Sequence, residues 1–259
     1  MAFHHKDVMV YRYDPRKRYF LVSLQLENKP GQLGNLGNLL GIRGINILEG
    51  FFGGLRQGDK GILSFFLEST NERLDEGWLK QFLESSVGVS DVEVKPATEG
   101  FLADSLNFPI TWNNGDRAVL MRAEGLRAML DAVKAADPAE GNASIYAQGF
   151  SYGDAEWANL FARHKPKTRE GLEAVLSIYP ATGWGKIELT DLNQAKSFAR
   201  LKVYEGFECL GRGTGKKESN FIRGHLAAVF SIYFGRVVKS VETKCVSEGD
   251  SHCEFEISP

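Results

Sequence analysis

The sequence predicts an α+β protein built from two domains. A chain of 259 residues, 43% of them hydrophobic, is long enough to form two separate cores. The first hundred residues alternate short strand patterns with two helical stripes. The second half places helical stripes ahead of several strands, an order typical of helices packed on one side of an antiparallel sheet.

The first domain has a βαββαβ pattern. Its strands are predicted at residues 19–27, 45–48, 62–67 and 89–94, and its helices at residues 33–40 and 74–83. Pro30 sets the turn after the first strand, and Gly31 allows close approach of the backbone there. This order of elements is that of a ferredoxin-like sandwich of one sheet and two helices.

The second domain is predicted to carry its helices and strands in separate groups. Helical stripes cover residues 126–133, 143–164, 172–179 and 221–232, and strands cover 184–189, 199–209, 237–245 and 252–257. Gly149 and Gly153 either break the second helix or let a neighbour pack close. The glycine-rich loop at residues 211–215 lacks the spacing of a nucleotide-binding phosphate loop.

Charge and composition exclude several classes of partner. A net charge of −2 gives no global basic field for nucleic acid or anionic membranes. No apolar run reaches the length of a membrane span, and the first residues lack the apolar core of a signal peptide. Three cysteines are an odd number and indicate a reducing compartment. We therefore expect a cytoplasmic protein with no direct nucleic-acid or membrane partner.

The C-terminal end carries a possible metal site. Glu242 precedes Cys245 by three positions, and seven residues, including a glycine and an aspartate, separate Cys245 from Cys253. A strand, a turn and a second strand would bring these side chains together, and thiolates with a carboxylate suit zinc. The alternative is that the cysteines are small buried apolar residues.

The stretch from Leu26 to Ile47, with its Pro-Gly-x-Leu turn and Gly-Ile-Asn-Ile strand, resembles the ACT domain over residues 18–97. The resemblance implies edge-to-edge pairing of two chains and binding of an amino acid or another small metabolite, with a ligand carboxylate at the helix start. The corresponding residues are Asn28, Pro30, Gly31, Gln32, Leu33, Asn46 and Ile47. Glu27 and Asn28 stand where many amino-acid-binding members have an aspartate. The alternative is that these residues only build a turn and a dimer interface.

A second resemblance covers residues 115–258. It rests on Tyr204-Glu-Gly-Phe-Glu-Cys209, on Arg223-Gly-His-Leu-Ala-Ala228 and on the spacing from Glu242 to Phe255. These motifs resemble the 4-vinyl-reductase domain, which implies the fold of TRAPP and nitric-oxide-signalling proteins and a dimer. Relatives include aromatic-responsive sensor domains, a chlorophyll-biosynthesis accessory protein and vesicle-tethering subunits.

In the sensor relatives, three cysteines and a glutamate hold zinc. Glu242, Cys245 and Cys253 match three of these ligands, while the fourth position falls near Ser219. Cys209, on the preceding predicted strand, is the candidate fourth ligand. A water molecule in its place, or no metal at all, remains open.

The same resemblance implies an apolar effector pocket. The candidate lining residues are Tyr146, Gln148, Phe150, Trp184, Val203, His225 and Tyr233. In the aromatic sensors a histidine and a tryptophan hold a phenolic hydroxyl, and here Gln148 and Val203 occupy those positions. This departure favours a small apolar ligand other than a phenol.

The predicted organisation is an N-terminal extension at 1–17, an ACT-like regulatory domain at 18–97, a linker at 98–114 and a 4-vinyl-reductase-like ligand-binding domain at 115–259. We expect a homodimeric small-molecule sensor without catalysis, acting through a protein partner. Two alternatives stay open: an enzyme or accessory subunit of tetrapyrrole or aromatic metabolism, and a scaffold that holds a lipid or acyl chain.

Overall fold

The computed structural model describes residues 6–53, 60–70, 74–112, 115–137, 139–164 and 166–259. The chain divides into two compact units, Met1–Val119 and Leu120–Pro259. The segment expected as a linker, residues 98–114, therefore lies within the first unit. Residues 1–5 of the predicted extension and residues 113–114 of that segment lie outside the described residues.

The first unit contains six strands and two helices in its described part. They are β1 (Tyr11–Tyr13), β2 (Arg18–Glu27), α1 (Gln32–Ile42), β3 (Ile45–Gly53), β4 (Lys60–Ser69), α2 (Glu76–Glu84), β5 (Val89–Pro96) and β6 (Phe101–Ala103). Elements β2 to β5 follow the βαββαβ order that the sequence predicts. The four strands form one antiparallel sheet in the order β3-β4-β2-β5.

The two helices share one hydrophobic core with this sheet. Leu36 and Leu40 are the buried side of α1, and Leu79 and Leu83 are the buried side of α2. They pack with alternate residues of the strands, as period-2 and period-3.6 patterns on facing elements require. Asp75 caps α2, because its Oδ1 accepts a hydrogen bond of 2.7 Å from the Trp78 N–H.

The ribbon formed by β1 and β6 covers the other face of the sheet. Its two strands pair antiparallel, and Leu102 packs with Leu21 of β2 and Phe66 of β4 in a separate small core. Asn107 adds polar contacts, since its Nδ2 donates to Ser64 Oγ at 2.7 Å. The predicted extension and linker thus supply a third layer of this unit. Three-residue strands are too short to give a periodic pattern in a sequence.

The second unit places four helices before a sheet and inserts one more between its strands. Its elements are α3 (Ala123–Ala136), α4 (Gly141–His164), α5 (Arg169–Leu176), α6 (Ile178–Ala181), β7 (Lys186–Asn193), β8 (Phe198–Tyr204), α7 (Asn220–Phe234), β9 (Lys239–Lys244) and β10 (Cys253–Ser258). The strands are antiparallel in the order β7-β8-β10-β9. Alternate residues of β8 and β10 are buried under the helices, which confirms the predicted α+β class.

Three glycines bring α4 and α7 into backbone contact. A Cβ added at Gly149 would lie 2.1 Å from the Phe221 carbonyl oxygen, and one at Gly224 would lie 2.0 Å from the Tyr146 carbonyl oxygen. Gly153 faces α7 in the same way, with the His225 carbonyl oxygen 2.9 Å from its ideal Cβ. Of the two readings of Gly149 and Gly153 left open by the sequence, close packing of a neighbour is the one found. In the described ranges, no helix combines the length and apolar character needed to cross a membrane.

Candidate metal centre

Three short elements bring the predicted metal ligands together. Glu242 lies in β9, Cys245 follows directly after that strand, and Cys253 begins β10. The connection closes through one turn of 3₁₀ helix and through Gly249, whose φ is 102°. Asp250 holds this turn, because its Oδ2 accepts a 2.9 Å hydrogen bond from the Cys245 N–H.

Cys209 reaches the site from a turn after β8. The prediction that it lies on the strand is wrong, because β8 ends at Tyr204. Glu205 has a φ of 53°, a left-handed conformation that a strand does not continue through. The Cys209 N–H then donates 3.1 Å to the Gly206 carbonyl oxygen, which makes a tight turn.

The four ligand atoms form a compact buried cluster. One sulfur or carboxylate oxygen from each of Cys209, Glu242, Cys245 and Cys253 lies within 4.8 Å of all the others. The Cys245 sulfur is 3.5 Å from that of Cys209 and 3.9 Å from that of Cys253. A tetrahedron with Zn–S bonds of about 2.3 Å has S–S edges of about 3.8 Å. The observed spacings therefore fit a single zinc ion with little rearrangement.

The chemistry of the cluster also fits a cation. Glu242 Oε1 is buried without a hydrogen-bond partner in the described part of the chain. Burial raises the pKa of Cys245 to about 11 and raises the pKa of Glu242 above its ordinary value. A hydrogen bond with Cys253, together with burial, raises the pKa of Cys209. A divalent metal would bind the deprotonated groups and offset their burial, and a set of three thiols and a carboxylate suits zinc.

Ser219 stands beside this cluster and not within the ligand set. Its hydroxyl lies 2.9 Å from the Cys209 sulfur and 3.6 Å from the Cys253 sulfur. Its backbone N–H donates to Glu242 Oε2 at 3.3 Å. Cys209 thus reaches the space beside Ser219. All four candidate ligands converge as the sequence analysis expects, while the presence of the metal stays a prediction.

Two of the predicted pocket residues meet at a buried histidine. The rings of Trp184 and His225 lie 4.8 Å apart between centroids. His225 Nδ1 is 2.5 Å from the Tyr179 hydroxyl, and its Nε2 is 3.1 Å from Glu156 Oε2. Burial lowers the pKa of His225, and Glu156 opposes this shift. The imidazole is therefore a neutral group in an aromatic surrounding, to which Tyr152 also contributes.

The other predicted pocket residues do not join this cluster. Gln148 is exposed, and the ring of Tyr146 lies against the Arg223 guanidinium at 5.0 Å. Phe150 is half-buried on α4, and Tyr233 packs on other aromatic rings of α7. Val203 is buried on the inner face of β8.

Sequence reasoning missed Tyr152, Glu156 and Tyr179 as neighbours of His225. The available signal was helical spacing: Tyr152 and Glu156 are four residues apart, next to the glycines that face α7. Two surface cavities lie elsewhere, one of about 440 Å³ next to Asp191 and one of about 360 Å³ next to Gln32.

The ACT-like ligand residues fall into two separate groups. Asn28, Pro30, Gly31, Gln32 and Leu33 lie at the turn between β2 and α1. Asn46 and Ile47 lie at the start of β3, where the register places Asn46 level with Tyr19. Eight residues along β2 separate Tyr19 from the end of that strand, a distance of about 26 Å. One chain alone therefore does not bring the two groups together.

The family model of the 4-vinyl-reductase domain matches residues 199–259. This match confirms the predicted resemblance to that domain for the last part of the chain and includes all four candidate metal ligands. No curated protein matches the chain.

Solved structures show similarity over about half of the chain. The phenol-responsive sensory domain of the transcription activator PoxR, solved with phenol, has 20% identity and a TM-score of 0.48, covering 57% of this chain and 79% of its own. A vinyl-4-reductase family protein from Methanocaldococcus jannaschii has 22% identity and a TM-score of 0.37, covering 56% and 84%. A trafficking protein particle complex subunit 3 from Naegleria fowleri, covalently bound to palmitic acid, has 13% identity and a TM-score of 0.41, covering 52% and 93%.

Proposed function

We propose that this chain is a regulatory protein that senses a small molecule, with a zinc centre in its 4-vinyl-reductase segment and no catalysis of its own. The observation that carries the proposal is the cluster of three buried thiols and one carboxylate within the segment that matches the 4-vinyl-reductase domain. Such clusters rarely serve as plain core, because four ionisable groups would be buried without charge compensation.

The metal centre has a structural role in this proposal. Cys209, Glu242, Cys245 and Cys253 would fill all four positions of a tetrahedral zinc ion, as structural sites do. Zinc would then supply cross-links between the turn after β8 and the hairpin of β9 and β10. A filled coordination shell offers no place for a catalytic water, which agrees with a binding function.

The environment of His225 is the proposed sensing site. It combines aromatic rings with one polar anchor, the composition that small-molecule sites share. Tyr152 covers it and is 46% exposed, so its displacement would admit a ligand. A small, mostly apolar molecule with one hydroxyl group is the ligand class that fits a neutral imidazole.

The first unit is proposed to be a ferredoxin-like, ACT-like regulatory domain that binds an amino acid or another small metabolite. Its βαββαβ order and the sheet order β3-β4-β2-β5 support this proposal. A homodimer would bring Asn46 and Ile47 of one chain towards the turn at Pro30 of the other, which a single chain does not do. A cytoplasmic location and a separate partner protein for output complete the proposal.

Metal analysis tests the centre. Purified wild-type protein is expected to hold about one zinc per chain, and Cys245→Ser is expected to lose it. Val241→Ser is a matched control, since Val241 is an exposed residue of the same strand. Chelation should lower the melting temperature of wild type and of the control. A folded, stable wild-type protein without metal would contradict the zinc centre.

Ligand binding tests the sensing role. Calorimetry with small aromatic alcohols, phenol included, and with free amino acids is expected to give saturable heats. His225→Gln should weaken binding of the alcohols and leave binding of amino acids unchanged. Purified protein that carries a bound acyl chain and responds to neither class would replace the sensor by the scaffold alternative.

A further inference from the structure

Helix α3 presents a charged face to the loop that follows β8. Arg127, Asp131 and Lys134 are spaced at i, i+4 and i+7, which places them on one side of the helix. All three contact residues between 207 and 218. This helix precedes the segment that matches the 4-vinyl-reductase domain, so no family match assigns a role to it.

Arg127 holds the turn that carries Cys209. Its Nη1 donates to the carbonyl oxygen of Leu210 at 2.7 Å and to that of Phe207 at 3.3 Å. These carbonyls lie on either side of Cys209 in the chain. The Arg127 side chain is only 19% exposed, so water competes weakly for these hydrogen bonds. The guanidinium therefore fixes the backbone that aims the Cys209 sulfur at the cluster.

The other two residues of this face hold the rest of the loop. Asp131 pairs with Arg212 through two hydrogen bonds of 2.9 Å, the bidentate geometry of the stronger ion pairs. Lys134 pairs with Glu218, and the Glu218 N–H donates to the Cys245 sulfur. The loop is thus attached to α3 before and after the stretch that wraps around the metal cluster.

An opposite anchor lies at the start of α7. Glu208 accepts hydrogen bonds of 2.9 and 2.7 Å from the backbone N–H groups of Phe221 and Ile222. It satisfies two donors that a helix leaves unpaired at its first turn. Cys209 is therefore held from two sides, by α3 through Arg127 and by α7 through Glu208.

We propose that Arg127, Asp131 and Lys134 of α3 are positioning residues for the metal centre, with Arg127 holding Cys209 as its fourth ligand. This inference rests on the proposed zinc centre and extends it beyond the 4-vinyl-reductase segment. It also explains how the site is completed with serine at position 219. Removing contacts that orient a metal ligand costs about 10- to 100-fold in metal affinity.

Zinc competition against a chromophoric chelator tests the proposal on the full chain. Arg127→Met keeps the aliphatic stem and removes the donors, and Asp131→Asn is a milder second variant. Arg169→Met is the matched control, because Arg169 also lies on a helix of this unit, pairs with a carboxylate (Glu173) and donates to a backbone carbonyl, that of Leu189. We expect zinc affinity to fall about 10- to 100-fold for Arg127→Met, to fall less for Asp131→Asn, and to stay unchanged for Arg169→Met.

Two further measurements separate positioning from general stability. Cobalt in place of zinc absorbs in proportion to the number of bound thiolates, and this absorption is expected to drop by about one third in Arg127→Met if Cys209 is lost from a three-thiolate centre. Melting temperatures should fall more with zinc present than with chelator. Equal losses in both states, with unchanged zinc affinity and cobalt spectrum, would overturn the positioning role alone. Wild type without zinc would overturn the metal centre and this inference together.

Discussion

Replacing Gly224 by alanine tests the backbone contact between α4 and α7. The added Cβ would lie 2.0 Å from the Tyr146 carbonyl oxygen, which is 1.4 Å short of the 3.4 Å at which ordinary contact begins. It would also lie 2.9 Å from the Phe150 backbone nitrogen. Both atoms belong to the α4 backbone, so no side-chain rotation relieves the overlap. The two helices must move apart.

The sign of the effect distinguishes this contact from helix propensity. Alanine in an unhindered helix position is more stable than glycine by about 0.5–1 kcal/mol. Overpacking at a rigid backbone contact costs about 1–3 kcal/mol, and the size of this overlap places Gly224→Ala near about 3 kcal/mol. For a unit of this size we expect the melting temperature to fall by about 10 °C.

Gly125→Ala serves as the control. Gly125 lies in α3 of the same unit, and its ideal Cβ meets nothing within 4 Å. Thermal and urea unfolding, followed by circular dichroism, should show Gly125→Ala at or above wild-type stability and Gly224→Ala well below it. If both variants gain stability, the close approach of α4 and α7 is refuted.

Three further predictions concern a buried base, a core residue and a helix cap. Burial lowers the pKa of His225 below 6.5, so the unfolded chain takes up a proton below that pH which the folded chain does not. Stability should fall between about pH 7 and pH 5 by up to about 1.4 kcal/mol per unit, and urea titrations of His225→Gln should lack this contribution; equal slopes would refute it. Leu102→Ala should cost the first unit about 2–4 kcal/mol, against less than about 0.5 for the exposed Val87→Ala; similar costs would contradict the ribbon packing. Asp75→Ala should cost about 1 kcal/mol by denaturant unfolding through loss of the cap on Trp78, and an unchanged midpoint would exclude the cap.

The regular elements of both units were predictable because their signals are local. Leucines at helical spacing and Pro30 with Gly31 delimit α1 from within about fifteen residues of sequence. The spacing from Glu242 to Cys253 is local in the same sense, since one hairpin brings these ligands together. Such features depend on neighbours in the chain, which periodicity and turn residues record.

The remaining features depend on contacts between distant parts of the chain. β1 and β6 pair across about ninety residues, and neither strand is long enough to show a pattern by itself. The position of Cys209 follows from the end of β8 just before Glu205 and from Arg127, more than eighty residues upstream of Leu210. The pocket prediction assumed space around Tyr146 and Gln148, whereas Gly149 and Gly224 let two helices close it.

The β1–β6 ribbon also determines how the first unit responds to tension. The chain enters β1 at Tyr11 and leaves β6 at Ala103, and these two residues face each other at one end of the ladder. Pulling the chain on both sides therefore loads the hydrogen bond between Asp104 and Val10 first and then the following bonds in turn. Strands that are loaded one bond at a time separate at low force, so this ribbon is a mechanical fuse in front of the four-stranded sheet. Force spectroscopy would record its opening as a small extension before the main unfolding event, and a single event would argue against it.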